Sequence, residues 1–208
     1  MNESSVPATQ LWNLPNALTM LRIVLVPFFI WFFVADDGDF GPWRWAAVLA
    51  FAVAIYTDKL DGDIARSRGQ ITNFGKIADP IADKLLIGSA LVLLSIVGEL
   101  WWWVTILMLV RELGITLLRF VVIRYGVIPA SRGGKLKTVL QTVAIFVYLL
   151  PWTPALPWLS ILALVVMLVA LAVTLVTGVD YIVQAMRLRT AGRSAAGGPS
   201  AGPDAAGR

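Results

Sequence analysis

Asp58-Lys59-Leu60-Asp61-Gly62-Asp63-Ile64-Ala65-Arg66, then eight residues to Gly75, three to Asp79 and three to Asp83, is the stretch that decides how the chain is read. Its four spaced carboxylates, Asp58, Asp61, Asp79 and Asp83, lie where two strongly apolar stretches meet. Aspartate is among the most expensive side chains to place at a membrane, and where it occurs it marks a substrate or ion site. Four together repel one another unless something cationic holds them. A divalent metal site is the natural inference.

Composition points the same way. The chain has 208 residues, 58% of them hydrophobic and 14% charged, with a mean hydropathy of +0.78. That is too apolar for a soluble domain of this size and fits a polytopic membrane protein. Nine Trp and nine Phe suit interfacial belts and packed helices, although a large soluble core would hold them too. The sequence has no Cys, which excludes disulfides, thiolate metal sites and cysteine nucleophiles. It has no His either, which removes the commonest general base and the usual zinc ligand. Any metal must therefore be held by oxygen, and oxygen-only sites favour Mg, Mn or Ca.

Apolar stretches fall at 17–35, 43–60, 76–97, 101–123, 138–151 and 156–185. A helix needs about 20 residues to cross a bilayer core, so these predict six transmembrane helices in an all-α integral membrane protein. The six-helix domain covers 13–187, between a juxtamembrane segment at 1–12 and a Gly/Ala/Ser-rich flexible tail at 188–208. The N-terminal segment lacks a basic n-region, so a retained first helix is expected rather than a cleaved signal peptide. Turn chemistry marks the connectors at 36–42, 131–134 and 151–154.

Charge sets the expected orientation. With both termini in the cytoplasm, the inner loops hold Arg66, Arg68, Arg124, Arg132, Lys135 and Lys137, whereas Arg44 is the only basic residue of the outer connectors. This is the positive-inside distribution, and it places the four-Asp segment at the cytoplasmic face. Attraction to anionic lipid accounts for part of the net charge of +4. Basic residues spread over several loops form no nucleic-acid stripe.

On a helix, Asp58 and Asp61 lie about 60° apart, and Asp79 and Asp83 about 40° apart. Antiparallel packing of the second and third helices would aim two carboxylates from each into a shared gap. Gly62, in a polar turn, and Gly75, at the start of the third helix, leave room for a ligand to approach. Arg66 supplies a fixed charge suited to phosphate. Taken singly, an Asp at a helix end is ordinarily a cap or a solvated residue, and Asp63, off the acidic face, is read as loop-exposed.

The segment resembles, without gap or substitution, the signature D-x2-D-G-x2-A-R-x8-G-x3-D-x3-D of the CDP-alcohol phosphotransferases. The resemblance implies a six-helix membrane homodimer in which Asp58, Asp61, Asp79 and Asp83 bind two divalent cations, Mg or Mn. It further implies that Asp83 is the base activating the acceptor hydroxyl, and that Gly62, Ala65, Arg66 and Gly75 line the site for the CDP donor. Attack on a diphosphate needs charge neutralisation and in-line positioning more than covalent help, which agrees with such a site. Without His, a carboxylate is the credible base.

The acceptor is read from three further stretches. Asn13-Leu-Pro15-Asn16-Ala-Leu-Thr19-Met-Leu-Arg22 suits a helix entry with a snorkelling Arg. It is also similar to the start of the family branch that makes phosphatidylglycerophosphate, where Asn16 and Thr19 would adjoin the nucleotide. Arg111, Glu112, Thr116 and Arg119 share a sector of about 100° on an apolar helix. Glu112 either pairs with an arginine or leaves a positive surface for an anionic acceptor. Ala130-Ser131-Arg132-Gly-Gly134-Lys135-Leu-Lys137-Thr138 is, alone, an ordinary inner loop. With R-E-x6-R it resembles the same branch, which implies CDP-diacylglycerol as donor and glycerol 3-phosphate as acceptor. Arg111, Arg119, Lys135 and Lys137 are then the candidates for the acceptor phosphate. The location implied is a bacterial cytoplasmic membrane.

Two alternatives stay open within the family: a cardiolipin synthase and an inositol-phosphate enzyme, both with anionic acceptors. From a different class, a divalent-cation transporter would explain the carboxylates. It would not explain Gly62, Ala65, Arg66 and Gly75 at their spacing, and the outer halves of the helices lack an acidic path.

Overall fold

A proline two residues past a capping asparagine starts the first helix. The Asn13 side chain accepts from the Asn16 backbone N–H at 2.9 Å, and Pro15 occupies a position where the missing N–H is not needed. The computed structural model describes residues 13–67, 72–122 and 132–196. Within them all regular structure is helical: α1 Leu14–Ala35, α2 Pro42–Ser67, α3 Asn73–Ile96, α4 Trp102–Val122, α5 Arg132–Leu149 and α6 Pro157–Ala196.

The helices match the six apolar stretches but run past them at the polar ends. α2 continues to Ser67, so Gly62 and Asp63 are helical rather than in a turn, although Asp63 is exposed as expected. α5 begins at Arg132, which places Gly133 and Gly134 inside its first turn rather than in a connector. α6 has 40 residues and extends to Ala196, beyond the point at which apolar residues give out. At 1.5 Å per residue that is about twice the thickness of a bilayer core, so its last turns leave the apolar zone. The rest of the tail, 197–208, and the segment 1–12 lie outside the described residues.

The polar face of α1 decides the packing. Asn16, Thr19, Arg22, Val26, Phe29 and Phe33 recur every three or four residues and are all buried. That face packs on both α2 and α3, whereas α2 and α3 touch each other only marginally. The gap between the two acidic helices is thus filled by α1 rather than closed by direct packing. α5 and α4 each lie along α6. Small residues at the crossings, including Ala47, Ala54, Ala90, Ala144, Ala163 and Ala170, are fully or nearly fully buried and let the helices approach closely.

At one end, Arg44 ties the α1–α2 and α3–α4 connectors to the last turn of α5. Its guanidinium donates to both Glu99 carboxylate oxygens at 2.7 Å and to the backbone oxygens of Leu149 and Tyr148. Phe33 stacks beneath it at 4.3 Å. Asp36 accepts from the backbone N–H groups of Phe40, Gly41 and Arg44, which caps α2. The cap holds Phe40 at φ 52, a left-handed conformation that a bulky residue adopts only when its surroundings impose it.

Large apolar side chains cover the outside of every helix, among them Phe28, Leu49, Ile77, Val110, Val139 and Val176, each more than a third exposed. A surface of this kind belongs in lipid rather than water. By length and apolarity, α1 and Pro157–Met186 of α6 each suffice to cross a membrane.

Candidate active site

At the end of the bundle away from Arg44, α1 brings the acidic residues together. Arg22 is fully buried, with Nη1 2.5 Å from Asp58 Oδ1 and Nη2 2.5 Å from Asp61 Oδ2. The second contact is a true hydrogen bond. The first is a charge contact off the hydrogen-bond axis, and among the described residues Nη1 and Nε make no hydrogen bond. Asp58 is about half exposed, while Asp61 is buried.

Thr19 links the two acidic helices. Its hydroxyl lies 2.6 Å from Asp79 Oδ1 and 3.3 Å from Asp61 Oδ2, and its third neighbour is the Pro15 carbonyl at 3.1 Å. A hydroxyl has one hydrogen, so the short contact to Asp79 is the one it serves best. Asp61 and Asp79, from different helices, thus face one another across a single Thr. Asp58 completes the set, close enough to act electrostatically on both Asp61 and Asp83.

Asn16 and Gly75 form the floor. Thr72 caps α3 by accepting from the Gly75 N–H at 3.0 Å and donates to Asn16 Oδ1 at 2.7 Å. A Cβ on Gly75 would sit 3.3 Å from Thr72 Oγ1, 3.4 Å from Asn16 Oδ1 and 3.7 Å from Asp79 Oδ2. Glycine at 75 is therefore needed for close approach of α1, α3 and the carboxylates.

Asp83 opens into a separate space. A cavity of about 350 Å³ runs between α3, α4 and α5, with Asp83 and Lys84 on one wall and Glu112, Lys137 and Gln141 on the others. Ile81, Leu85 and Leu113, each about half exposed, also line it, so the cavity reaches the apolar outer surface. Lys137 is nearly buried, contacts Glu112, and is close enough to act electrostatically on Asp83.

Arg111 points elsewhere. Its Nε donates to the Thr174 carbonyl at 2.9 Å, Nη2 to Thr177 Oγ1 at 2.8 Å and Nη1 to Glu112 at 3.1 Å. Gly178 makes room for it: a Cβ there would lie 3.2 Å from Arg111 Nε. Two of its five donors are thereby spent on tying α4 to α6, and a third on its neighbour Glu112 within α4. Glu112 is shared between Arg111 and Lys137. The side chains of Ala65, Arg66, Arg119 and Lys135 lie outside the described residues.

The structure therefore unites Asn16, Thr19, Asp58, Asp61, Gly75 and Asp79 around Arg22, and joins Asp83 to Lys137 through the cavity. Sequence reasoning reads Arg22 as a snorkelling residue of the helix-entry motif and does not assign it to the site, although its place three residues beyond Thr19 on an apolar helix carries the signal. It also left out Gln141, the polar residue one turn beyond Lys137.

The donor set suits a hard cation. It is all oxygen, and four carboxylates with one arginine keep a net negative charge. Among the described residues, no three carboxylates are already gathered at a single point. Asp61 and Asp79, flanking one hydroxyl, come nearest to a shared position.

Comparison with known proteins follows the same lines. The sequence profile of the CDP-alcohol phosphatidyltransferase family matches residues 12–178. A protein of Mycobacterium tuberculosis named "Probable phosphatidylglycerophosphate synthase" is 52% identical over 175 residues, covering 84% of this chain and 82% of its own. The CDP-diacylglycerol–glycerol-3-phosphate 3-phosphatidyltransferase of Escherichia coli is 37% identical over 182 residues, covering 82% and 93%. Its namesake in Bacillus subtilis is 37% identical over 150 residues, covering 67% and 78%.

Proposed function

The chain belongs to the CDP-alcohol phosphatidyltransferase family, and from that premise we propose that it transfers the phosphatidyl group of CDP-diacylglycerol to glycerol 3-phosphate. The products are phosphatidylglycerophosphate and CMP. The observation that carries this reading is one cavity that is lined by Asp83 and Lys137 and reaches exposed apolar side chains. A base, a cation for an anionic acceptor and an entry for acyl chains share one space.

In this reading Asp58, Asp61, Asp79 and Asp83 hold two divalent cations, Mg or Mn, which when bound neutralise the donor diphosphate. Arg22 keeps Asp58 and Asp61 aimed at one another, and Thr19 does the same for Asp61 and Asp79. Asn16, Gly62, Ala65, Arg66 and Gly75 line the nucleotide side. Lys137, with Arg119 and Lys135, binds the acceptor phosphate. Arg111 belongs to the same charged sector and acts by positioning Glu112 and hence Lys137. Asp83 takes the proton of the acceptor's primary hydroxyl as its oxygen bonds to the phosphatidyl phosphorus. The bond from that phosphorus to the CMP oxygen breaks, and CMP leaves with the electron pair.

The site faces the cytoplasm, six helices span the bilayer, both termini are inside, and the enzyme works as a homodimer. Two features support the orientation. Basic residues gather in the connectors at the carboxylate end. Exposed Trp43, Trp45, Trp101, Trp103, Trp152 and Trp158 mark the Arg44 end, as an interfacial belt does.

The test is CMP release by purified protein with CDP-diacylglycerol and a panel of acceptors. Glycerol 3-phosphate is expected to support turnover, whereas inositol phosphate and phosphatidylglycerol are not. Chelation should stop the reaction, and Mg or Mn should restore it. Turnover only with inositol phosphate or phosphatidylglycerol overturns the acceptor while leaving the family chemistry intact. Full activity in chelator overturns the metal role.

A further inference from the structure

One polar side chain lining this cavity carries a buried donor with no partner among the described residues. Gln141 on α5 is 3% exposed and its Nε2 makes no hydrogen bond, yet the residue lines the cavity that holds Asp83 and Lys137. Buried amides in folded proteins are almost always satisfied, and an orphan beside a ligand space is positioned to bond what enters that space. A buried donor without a partner destabilises the empty protein, and a ligand oxygen that accepts from it lifts that cost on binding.

The position narrows what it binds. Lys137 and Gln141 are four residues apart, on one face of α5 and separated by about 6 Å along the axis. Gln141 lies on the side of Lys137 away from the polar start of the helix, with Ile87, Leu91 and Leu109 as neighbours along the cavity. A neutral amide among apolar groups is suited to a neutral hydroxyl rather than to a phosphate, which Lys137 serves better. With the acceptor phosphate at Lys137 and its primary hydroxyl at Asp83, the remaining polar group of a glycerol phosphate is its secondary hydroxyl.

Resting on the reaction proposed above, we propose that Gln141 donates from Nε2 to the secondary hydroxyl of the acceptor, and so selects a glycerol phosphate over an acceptor lacking that group. A site built to hydrogen-bond a hydroxyl rejects the analogue without it, because the site's polar group is then left unpaired.

The experiment compares glycerol 3-phosphate with 3-hydroxypropyl phosphate, which keeps the phosphate and the reacting hydroxyl and lacks the secondary one. The unaltered protein is expected to favour glycerol 3-phosphate by about tenfold or more in kcat/KM. Gln141→Met should lose that factor on glycerol 3-phosphate, keep its activity on the deoxy acceptor, and leave the KM for CDP-diacylglycerol unchanged. Its Tm without substrates should hold or rise, because an unsatisfied donor has been removed; a purely structural glutamine would show a fall. Gln141→Ala, read by its kinetics on the two acceptors alone because the cavity it leaves lowers Tm in either case, replaces it if the Met variant does not fold. Equal loss on both acceptors, a loss confined to the KM for CDP-diacylglycerol, or no discrimination by the unaltered protein each overturn the assignment. Absence of turnover with glycerol 3-phosphate in the unaltered protein overturns the underlying reaction as well, and is seen before any variant is made.

Discussion

Arg22 balances charge where the protein can least tolerate an imbalance. It is fully buried against one buried and one half-exposed carboxylate, so Arg22→Ala strands Asp61 without a counter-charge. Breaking a buried ion pair costs about 3–5 kcal/mol. A fall in Tm of several degrees is expected, together with loss of CMP release. Arg22→Lys keeps the charge but not the fork that reaches two carboxylates, so it should recover part of the stability and little of the activity. A Tm unchanged in Arg22→Ala would remove the residue from this role. Asp83→Asn keeps the shape of the side chain and removes the base. Turnover should drop by about 10²–10⁴ with Tm nearly unchanged, and near-normal CMP release would show that Asp83 is not the proton acceptor. The carboxylate positions were legible in the sequence because their spacing is local to two helices. Arg22 was visible as a charged residue, but its partners lie 36 and 39 positions away, and only packing selects them.

Among the elements, α1 is the one whose place no local pattern disclosed. Its buried stripe reads as an ordinary amphipathic repeat, and nothing within the helix says that the stripe will lie between α2 and α3. α2 extends through Gly62, and α5 includes Gly133 and Gly134; the turn preference of glycine is a weak prior that a continuing helix overrides. At the other end of the bundle, burial pushes the Glu99 carboxyl above its ordinary range, with Arg44 opposing the shift. The folded-state value is then higher than the unfolded one, so the stabilising contribution is complete below the ordinary value and is lost as pH rises through the raised one. Glu99→Gln removes this titration. Its Tm, measured against that of the unaltered protein, should improve progressively as pH rises through that window, and a constant difference across pH would refute the assignment. Because Glu99 lies at the Arg44 end, acceptor KM should be unaffected.

For the molecule as a whole, the chain's lack of cysteine makes its orientation directly testable. Asp39→Cys, in the exposed connector between α1 and α2, should react with a membrane-impermeant maleimide in intact cells. Ser67→Cys, at the exposed end of α2, should react only after permeabilisation. The reverse pattern would turn the site to the outside. Apolar content, the six hydrophobic stretches and the spacing from Asp58 to Asp83 are properties of the linear chain, and they determined the helical class and the family chemistry. Hydrophobic periodicity and motif spacing act within a few turns, so they survive without any knowledge of neighbours. Which helix fills the acidic gap, which cation meets which carboxylate, that Arg111 is engaged by α6, and that Gln141 shares a cavity with Asp83 were decided only by the tertiary structure. Each of these depends on side chains brought together from different helices, where the need to neutralise buried charge and fill space selects among partners that the sequence leaves equivalent.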